Sequence, residues 1–221
     1  MKRKWKLWMI AFVLFVMTDI MMQSNRAEAK KRTFTVSSKT IPCSSSYRQK
    51  PYYNKKTKQY YMINSYMRRL STTGGTLKLK KGTYKIPGTI YVPSNVKIVC
   101  ANGVKIKKTK ATGTKKVKST KFLFQMISEE KASGKQNTGK YAASKNASIQ
   151  GNGKVIFDMG NVNGATAVFV GHASGITVSG VRFRNKKGGS YIWIEGSKNI
   201  SVRQCVFERK KDVSGLKNRM A

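Results

Sequence analysis

The sequence predicts an all-β solenoid of about six rungs with one helix at its N-terminal end. Three observations carry this. The segment from Ala167 to Glu208 reads twice in one register, 24 residues apart: Val168, Val170, Ile176, Val178, Val181 and Phe183 recur as Ile192, Ile194, Ile200, Val202, Cys205 and Phe207. Each copy divides into three short strands, every one with two apolar positions around an outward residue, the period of a half-buried strand. Helical periodicity is confined to a stretch that precedes the strands. A repeat of this length made of strands alone is one turn of a solenoid.

The N-terminal residues read as separate from that fold. Lys2, Arg3, Lys4 and Lys6 form a basic region, Leu7 to Met17 is an apolar run of 11 residues, and Ala27-Glu28-Ala29 is a small-x-small site. Together these predict a secretory signal peptide, residues 1–29, cleaved after Ala29. Eleven apolar residues are too few for a membrane span, which needs about 20. A mature chain from Lys30 holds 192 of the 221 residues, the size of one domain.

The formal charge of the whole chain is +37, and five basic and two acidic residues leave with the signal peptide, so the mature chain keeps +34. Six carboxylates remain, on Glu129, Glu130, Asp158, Glu195, Glu208 and Asp212. For an exported protein this balance either points to an acidic polysaccharide or cell-wall polymer as partner, with no specific nucleic acid implied, or serves solubility alone. The lysines are spread along the chain, which favours a diffuse field. Six scattered acids and one histidine, His172, give no metal-ligand spacing, and no cofactor is implied. Three cysteines are too few for a disulfide scaffold. Cys205 occupies an inward position, while a bridge between Cys43 and Cys100 is left open by the sequence.

The elements follow in order. Residues 30–56 are polar and read as irregular. Tyr60, Ile63, Met67 and Leu70 share one face of a helix over about Thr57 to Leu70, ended by Gly74-Gly75. Its expected task is to cover the open end of the solenoid and block strand pairing there. Thr76 to Leu79, Tyr84 to Ile86, Ile90/Val92, Val96/Ile98, Val104/Ile106, Phe122 to Ile127 and Ala147 to Phe157 continue the strand pattern over 57–210, leaving 211–221 as a patternless tail. Asn95, Asn146 and Asn199 each precede a strand, placed either for rung-to-rung amide bonds or for left-handed turns.

Two polar excursions leave the column, Lys107 to Lys121 and Ser128 to Lys145. The first carries Lys107, Lys108, Lys110, Lys115, Lys116, Lys118 and Lys121, which are either polyanion contacts or a solvated loop.

The stretch Gly74-Gly75-Thr76-Leu77-Lys78-Leu79-Lys80-Lys81-Gly82-Thr83-Tyr84 after a helix resembles the entry of right-handed parallel β-helix proteins of the pectin lyase-like superfamily. Ser197 to Phe207 resembles an internal rung of its polygalacturonase-like (glycoside hydrolase family 28-like) branch. The resemblance covers about Thr57 to Glu208 and implies a right-handed parallel β-helix acting on or binding pectin-like polyuronate, as glycosidase or lyase. In that branch a catalytic rung carries outward acids in an Asn-Thr-Asp-Gly-Ile-Asp-type stretch. Here Ser190 and Trp193 stand at the acid positions, the preceding rung offers Thr166 and Phe169, and Gly171-His172-Ala173 is a partial echo of a Gly-His-Gly motif. The chain therefore reads either as a member truncated before its catalytic rungs or as a β-helix used for binding.

The acid/base candidates are Glu195, Asp158 and His172. Phe169 and Trp193, outward and one rung apart, form a candidate sugar platform with Tyr191 beside them and Arg182, Arg184, Lys186 and Lys187 as basic neighbours, unless another segment covers the rings.

Overall fold

The computed structural model describes residues 32–134 and 138–208. The expected signal peptide and the 211–221 tail lie outside the described residues. Among the described residues fifteen strands, in parallel pairs throughout, form three sheets. The six-stranded sheet contains β1 (Arg32–Val36), β2 (Gly75–Leu79), β5 (Val96–Cys100), β8 (Ser148–Gly151), β11 (Ser174–Ser179) and β14 (Lys198–Arg203), in that order. The five-stranded sheet runs β3 (Gly82–Ile86), β6 (Val104–Lys108), β9 (Ile156–Asp158), β12 (Arg182–Arg184) and β15 (Val206–Phe207). The four-stranded sheet runs β4 (Ile90–Tyr91), β7 (Phe122–Gln125), β10 (Thr166–Gly171) and β13 (Ile192–Glu195). The chain visits the three sheets in turn and returns one rung further on, which is a parallel β-helix.

Stacking explains the repeat. Val168 and Val170 pair with Ile192 and Ile194, Ile176 and Val178 with Ile200 and Val202, and Phe183 with Phe207. Inward side chains line up into columns such as Leu77–Ile98–Ile149–Val178 and Tyr84–Ile106–Phe157–Phe183, all fully buried. On the last described rung, Ile194, Val202 and Phe207 remain exposed. The turn before the six-stranded sheet stacks Gly74, Asn95, Asn146, Gly175 and Asn199, every one at positive φ. The asparagines thus serve as left-handed turn residues, which their short polar side chains tolerate. No hydrogen bond links their amides among the described residues.

Two details depart from the sequence reading of 30–56. Residues 32–36 form β1 and extend the six-stranded sheet by one strand, and a short helix α1 (Ser45–Arg48) follows. Phe34 and Val36 supply the alternation, too short a signal to separate from its polar surroundings. Cys43, Cys100 and Cys205 are all free thiols; Cys43 donates to the Ser65 carbonyl and Cys100 is buried in the core.

Helix α2 (Lys58–Leu70) does what its position suggested, with two amides as its instrument. With β1 covering the six-stranded sheet, the edges left open at this end are β3 and β4. The buried Asn64 donates from Nδ2 to the Thr89 carbonyl (2.9 Å) and accepts from the Tyr91 N–H (3.1 Å), so it stands in for a strand beside β4. Gln59 does the same beside β3, accepting from the Lys85 N–H and donating to the Thr83 carbonyl. Met62, Ile63, Met67 and Leu70 seal the apolar end beneath.

The outer face of the five-stranded sheet stacks Lys85, Lys107, Asp158, Arg184 and Glu208 in one row, with Lys105 and Arg182 in the neighbouring one. Like charges one rung apart repel, and Asp158 relieves this, lying 3.1 Å from Lys105 and 3.2 Å from Arg184. Its carboxylate also accepts from Asn185 Nδ2 and the Gly160 N–H. Burial pulls the Asp158 pKa upward, but the bonds from Asn185, Gly160 and Lys105 outweigh it and bring it down to about 2. A lowered carboxylate pKa adds stability above its unfolded value near 4, and that stability disappears as pH falls through the folded value.

Two stability predictions follow from these contacts. Asn64→Ala leaves buried donors and acceptors unpaired and should lower unfolding free energy in urea by about 2–3 kcal/mol; an unchanged midpoint would show that the amide carries no capping energy. Between pH 4 and pH 2 the wild type should lose about 2 kcal/mol more than Asp158→Asn, read from urea transitions at both pH values.

Candidate functional site

Both excursions leave the same part of the column and bracket one surface. Residues 109–121 connect β6 to β7 and residues 126–147 connect β7 to β8, so they rise from the two corners of the four-stranded sheet. Its outer face between them carries the row Tyr91, Gln125, Phe169 and Trp193. Phe169 and Trp193 meet at 5.2 Å between ring centroids, as expected one rung apart, but edge to face (68°) rather than stacked. Phe122 completes the group, stacked on Phe169 at 4.6 Å and 6.3 Å from Trp193. The Phe169 ring lies over Gly171, where an added Cβ would come within 2.7 Å of the ring. That glycine is what allows the ring to lie flat. Trp193 is 47% exposed, and Phe169 and Phe122 are half-buried. The platform is therefore open rather than covered by the described residues.

The basic candidates divide into two groups. Lys110, Lys115, Lys116, Lys118 and Lys121 are exposed on the first excursion, and Lys186 and Lys187 lie on the turn from β12 to β13. All seven belong to the corner between the five-stranded and four-stranded sheets, so they border the aromatic face along one side. Lys186 sits 5.8 Å above the Tyr191 ring and donates to the Gly189 carbonyl. At the opposite corner Lys198 covers the half-exposed Tyr141 ring at 4.6 Å.

Several expected site residues serve other ends. Lys107 is a strand residue on the outer face of the five-stranded sheet, paired in register with Asp158, and does not belong to the loop. Lys108 is fully buried and cannot contact a polyanion. It occupies the inward parity of β6, and its Nζ, with three N–H donors, lies within hydrogen-bond distance of four oxygens: the carbonyls of Pro87 (3.0 Å), Gly88 (2.9 Å) and Phe122 (2.7 Å) and Thr120 Oγ1 (3.2 Å). Burial pushes its pKa down to about 7. Through these bonds it ties together the two ends of the first excursion. Arg182 and Arg184 are not neighbours of the aromatic row: they point out from the five-stranded sheet, paired with Glu208 (2.9 Å) and Asp158. Tyr191 shares the parity of Trp193 yet packs the other way, against Phe183 (5.7 Å) and Phe207 (6.0 Å), and its hydroxyl donates to the Glu208 carbonyl. Its place at the end of a turn, one residue before β13 begins, frees it from strand alternation.

The acid/base candidates do not converge. Asp158 is held by two cations and lies on a different sheet face from Glu195. Its low pKa leaves it no proton to give near neutral pH. Glu195 is exposed at the end of β13, and its carbonyl accepts from the His172 N–H at 3.0 Å. His172 holds a left-handed turn (φ 50°) directly beneath Gly196, where a Cβ would come within 3.0 Å of the imidazole. The Gly-His-Ala sequence thus has a turn-forming reason. Among the described residues no three His, Cys, Asp or Glu side chains cluster as metal ligands. The other acids of the second excursion are engaged at the helix end: the Tyr47 hydroxyl donates to Glu129, which lies in helix α3 (Glu129–Ser133), and Arg68 pairs with Glu130 at 3.6 Å.

Three residues at these surfaces were not singled out by sequence reasoning. Phe122 reads as a core residue because it opens the apolar run Phe122-Leu123-Phe124. Tyr141 lies in a polar excursion without periodicity. Lys56, before α2, lines a basin with the lysines of the first excursion, a proximity that only the fold creates.

No family model matches the chain, and neither does any curated protein. Among solved structures it is similar to PfbA, a surface adhesin of Streptococcus pneumoniae, with 15% identity and a TM-score of 0.51. That match covers 79% of this chain and 38% of the adhesin chain, so this chain spans well under half the length of that protein. A putative glycosyl hydrolase from Parabacteroides merdae ATCC 43184 aligns over 66% of this chain and 90% of its own at 15% identity, with a TM-score of 0.20. No helix among the described residues is long and apolar enough to cross a membrane. The chain shares the parallel β-helix fold of the adhesin.

Proposed function

We propose that the chain is a secreted β-helix that binds an acidic polysaccharide of the polyuronate type on the outer face of its four-stranded sheet. The observation that carries this reading is the open aromatic cluster of Phe122, Phe169 and Trp193 beside a corner bearing seven lysines. Aromatic faces pack against the C–H faces of pyranose rings, and ammonium groups alongside pair with uronate carboxylates. The basic n-region, apolar run and small-x-small site at the N-terminus support export, and the charge of +37 supports an acidic partner.

Binding is favoured over cleavage. A glycosidase needs two carboxyl groups on either side of one glycosidic bond. Asp158 is consumed by Lys105 and Arg184 on another sheet, and Glu195 has no second carboxylate beside it on its own sheet face among the described residues. Lyase chemistry needs a base beside a neutralised carboxylate. Six of the seven lysines of the corner are exposed and Lys186 is half-buried, so they line an open surface rather than a closed cleft around one substrate carboxylate.

The full chain should be retained on immobilised polygalacturonate at low salt and released as ionic strength rises. Trp193→Ala should weaken retention by about fivefold with unchanged circular dichroism, since one aromatic contact contributes about 1 kcal/mol. Equal retention of the variant, new reducing ends, or unsaturated product would each overturn this assignment.

A further inference from the structure

The first excursion is a built bowl rather than a loose tail of lysines. Thr112 is buried, and its hydroxyl donates to the Val117 carbonyl (2.6 Å) with the Thr114 carbonyl also in reach (2.9 Å), which curls residues 112–117 into a closed turn. Asn54 pins that turn to the segment before α2: its Nδ2 donates to the carbonyls of Thr112 (2.9 Å) and Tyr52 (3.2 Å). Gly113 lies against the same amide at a positive φ of 76°, where a Cβ would sit 2.9 Å from Asn54 Oδ1. Lys108 clamps the two ends of the excursion from below. The result is an open basin of about 700 Å³ lined by Lys56, Lys110, Lys115 and Lys118, with Thr114 and Ser119 between them.

The chemistry of that lining is one-sided. It holds no carboxylate, no arginine and no aromatic ring. The ion pairs among the described residues involve Lys105 and three arginines, so none neutralises these four lysines. Elsewhere on the molecule close cations are relieved by an acid, as Lys105 and Arg184 are by Asp158; here the positive field is left standing. Ammonium groups are point charges that gather around a compact, multiply charged oxyanion from several directions, and the basin offers no aromatic face for a sugar ring. Hydroxyls between the ammonium groups add donors for further oxygens.

We infer that this basin is an anion site for phosphate groups of a phosphate-bearing polymer, distinct from the aromatic face; it claims Lys110, Lys115 and Lys118 of the lysine corner and leaves Lys116, Lys121, Lys186 and Lys187 to the polyuronate reading. The ligand chemistry is a compact, multiply charged oxyanion held by four lysines from two segments of the chain, with the bowl preformed by Asn54 and Thr112. Charge alone would give binding indifferent to loop geometry; a built bowl makes it depend on Asn54, which carries no charge.

The test is a calorimetric titration of the full chain with sodium tripolyphosphate, with trigalacturonate as a carboxylate probe. The expected result is saturable one-to-one tripolyphosphate binding, weakened about tenfold in Lys110→Ser/Lys115→Ser. Asn54→Ala should weaken it at least about threefold with the charge unchanged. Trp193→Ala and the distant double variant Lys78→Ser/Lys97→Ser, on the outer face of the six-stranded sheet, should leave it intact. Circular dichroism and the urea midpoint confirm that each variant is folded. Equal weakening by the distant pair would mean a diffuse field only and would overturn the site, as would indifference to Asn54→Ala or equal affinity of the basin for trigalacturonate. Failure of Trp193→Ala to affect polyuronate retention would instead count against the aromatic face alone.

Discussion

The structure depends on satisfying the open edge of a stacked parallel column. Among the described residues every strand beyond the first rung pairs with the strand of the rung beneath it. At the N-terminal end the six-stranded sheet is extended by β1, while the other two sheets are met by side-chain amides from one helix, Asn64 beside β4 and Gln59 beside β3. An amide carries a donor and an acceptor in the same relative order as a peptide group, so it can finish a ladder without adding a strand. The apolar stripe of Met62, Ile63, Met67 and Leu70 covers the column's interior at the same place. One amphipathic helix therefore blocks edge pairing and seals the core at once.

Once the first rung is capped, stacking dictates the surface as firmly as it does the core. Residues 24 apart in the last two rungs pair in register, so an outward residue repeats as a row on the exterior. On the five-stranded sheet this would pile cation on cation, and Asp158 is the counter-charge that makes the row tolerable. On the four-stranded sheet the same rule brings Phe169 under Trp193. The excursions leave at the corners because a strand cannot accept insertions without breaking its ladder, whereas a turn can lengthen freely. The aromatic face and the lysine corner are thus two outcomes of one stacking rule.

Much of this was legible in the residues. The repeat, the paired apolar positions and the helix before Gly74 are all periodic signals, and periodicity survives in a single sequence. The Phe169–Trp193 contact followed from the repeat length alone. What was not legible depends on contacts between distant segments. Tyr191 and Lys108 follow strand parity on paper, but the first precedes its strand and turns inward, and the second reaches out of its inward position to four oxygens at a corner. Asp158 looked available as an acid because its partners Lys105 and Arg184 are one rung away in space yet distant in sequence. Strand β1 lies alone in a polar stretch, too short to show a period.

The central claim is that the outer face of the four-stranded sheet receives the sugar rings of an acidic polysaccharide. In a chain beginning at Lys30, Trp193 is the only tryptophan, so fluorescence excited to the red of tyrosine absorption reports on this face. The most direct measurement is the Trp193 emission spectrum during titration with oligogalacturonate at low and at high salt. The account predicts a saturable blue shift as the ring leaves water, with an apparent affinity that falls as salt rises. An emission spectrum that stays fixed while the oligosaccharide binds would contradict it and move the binding surface elsewhere on the column.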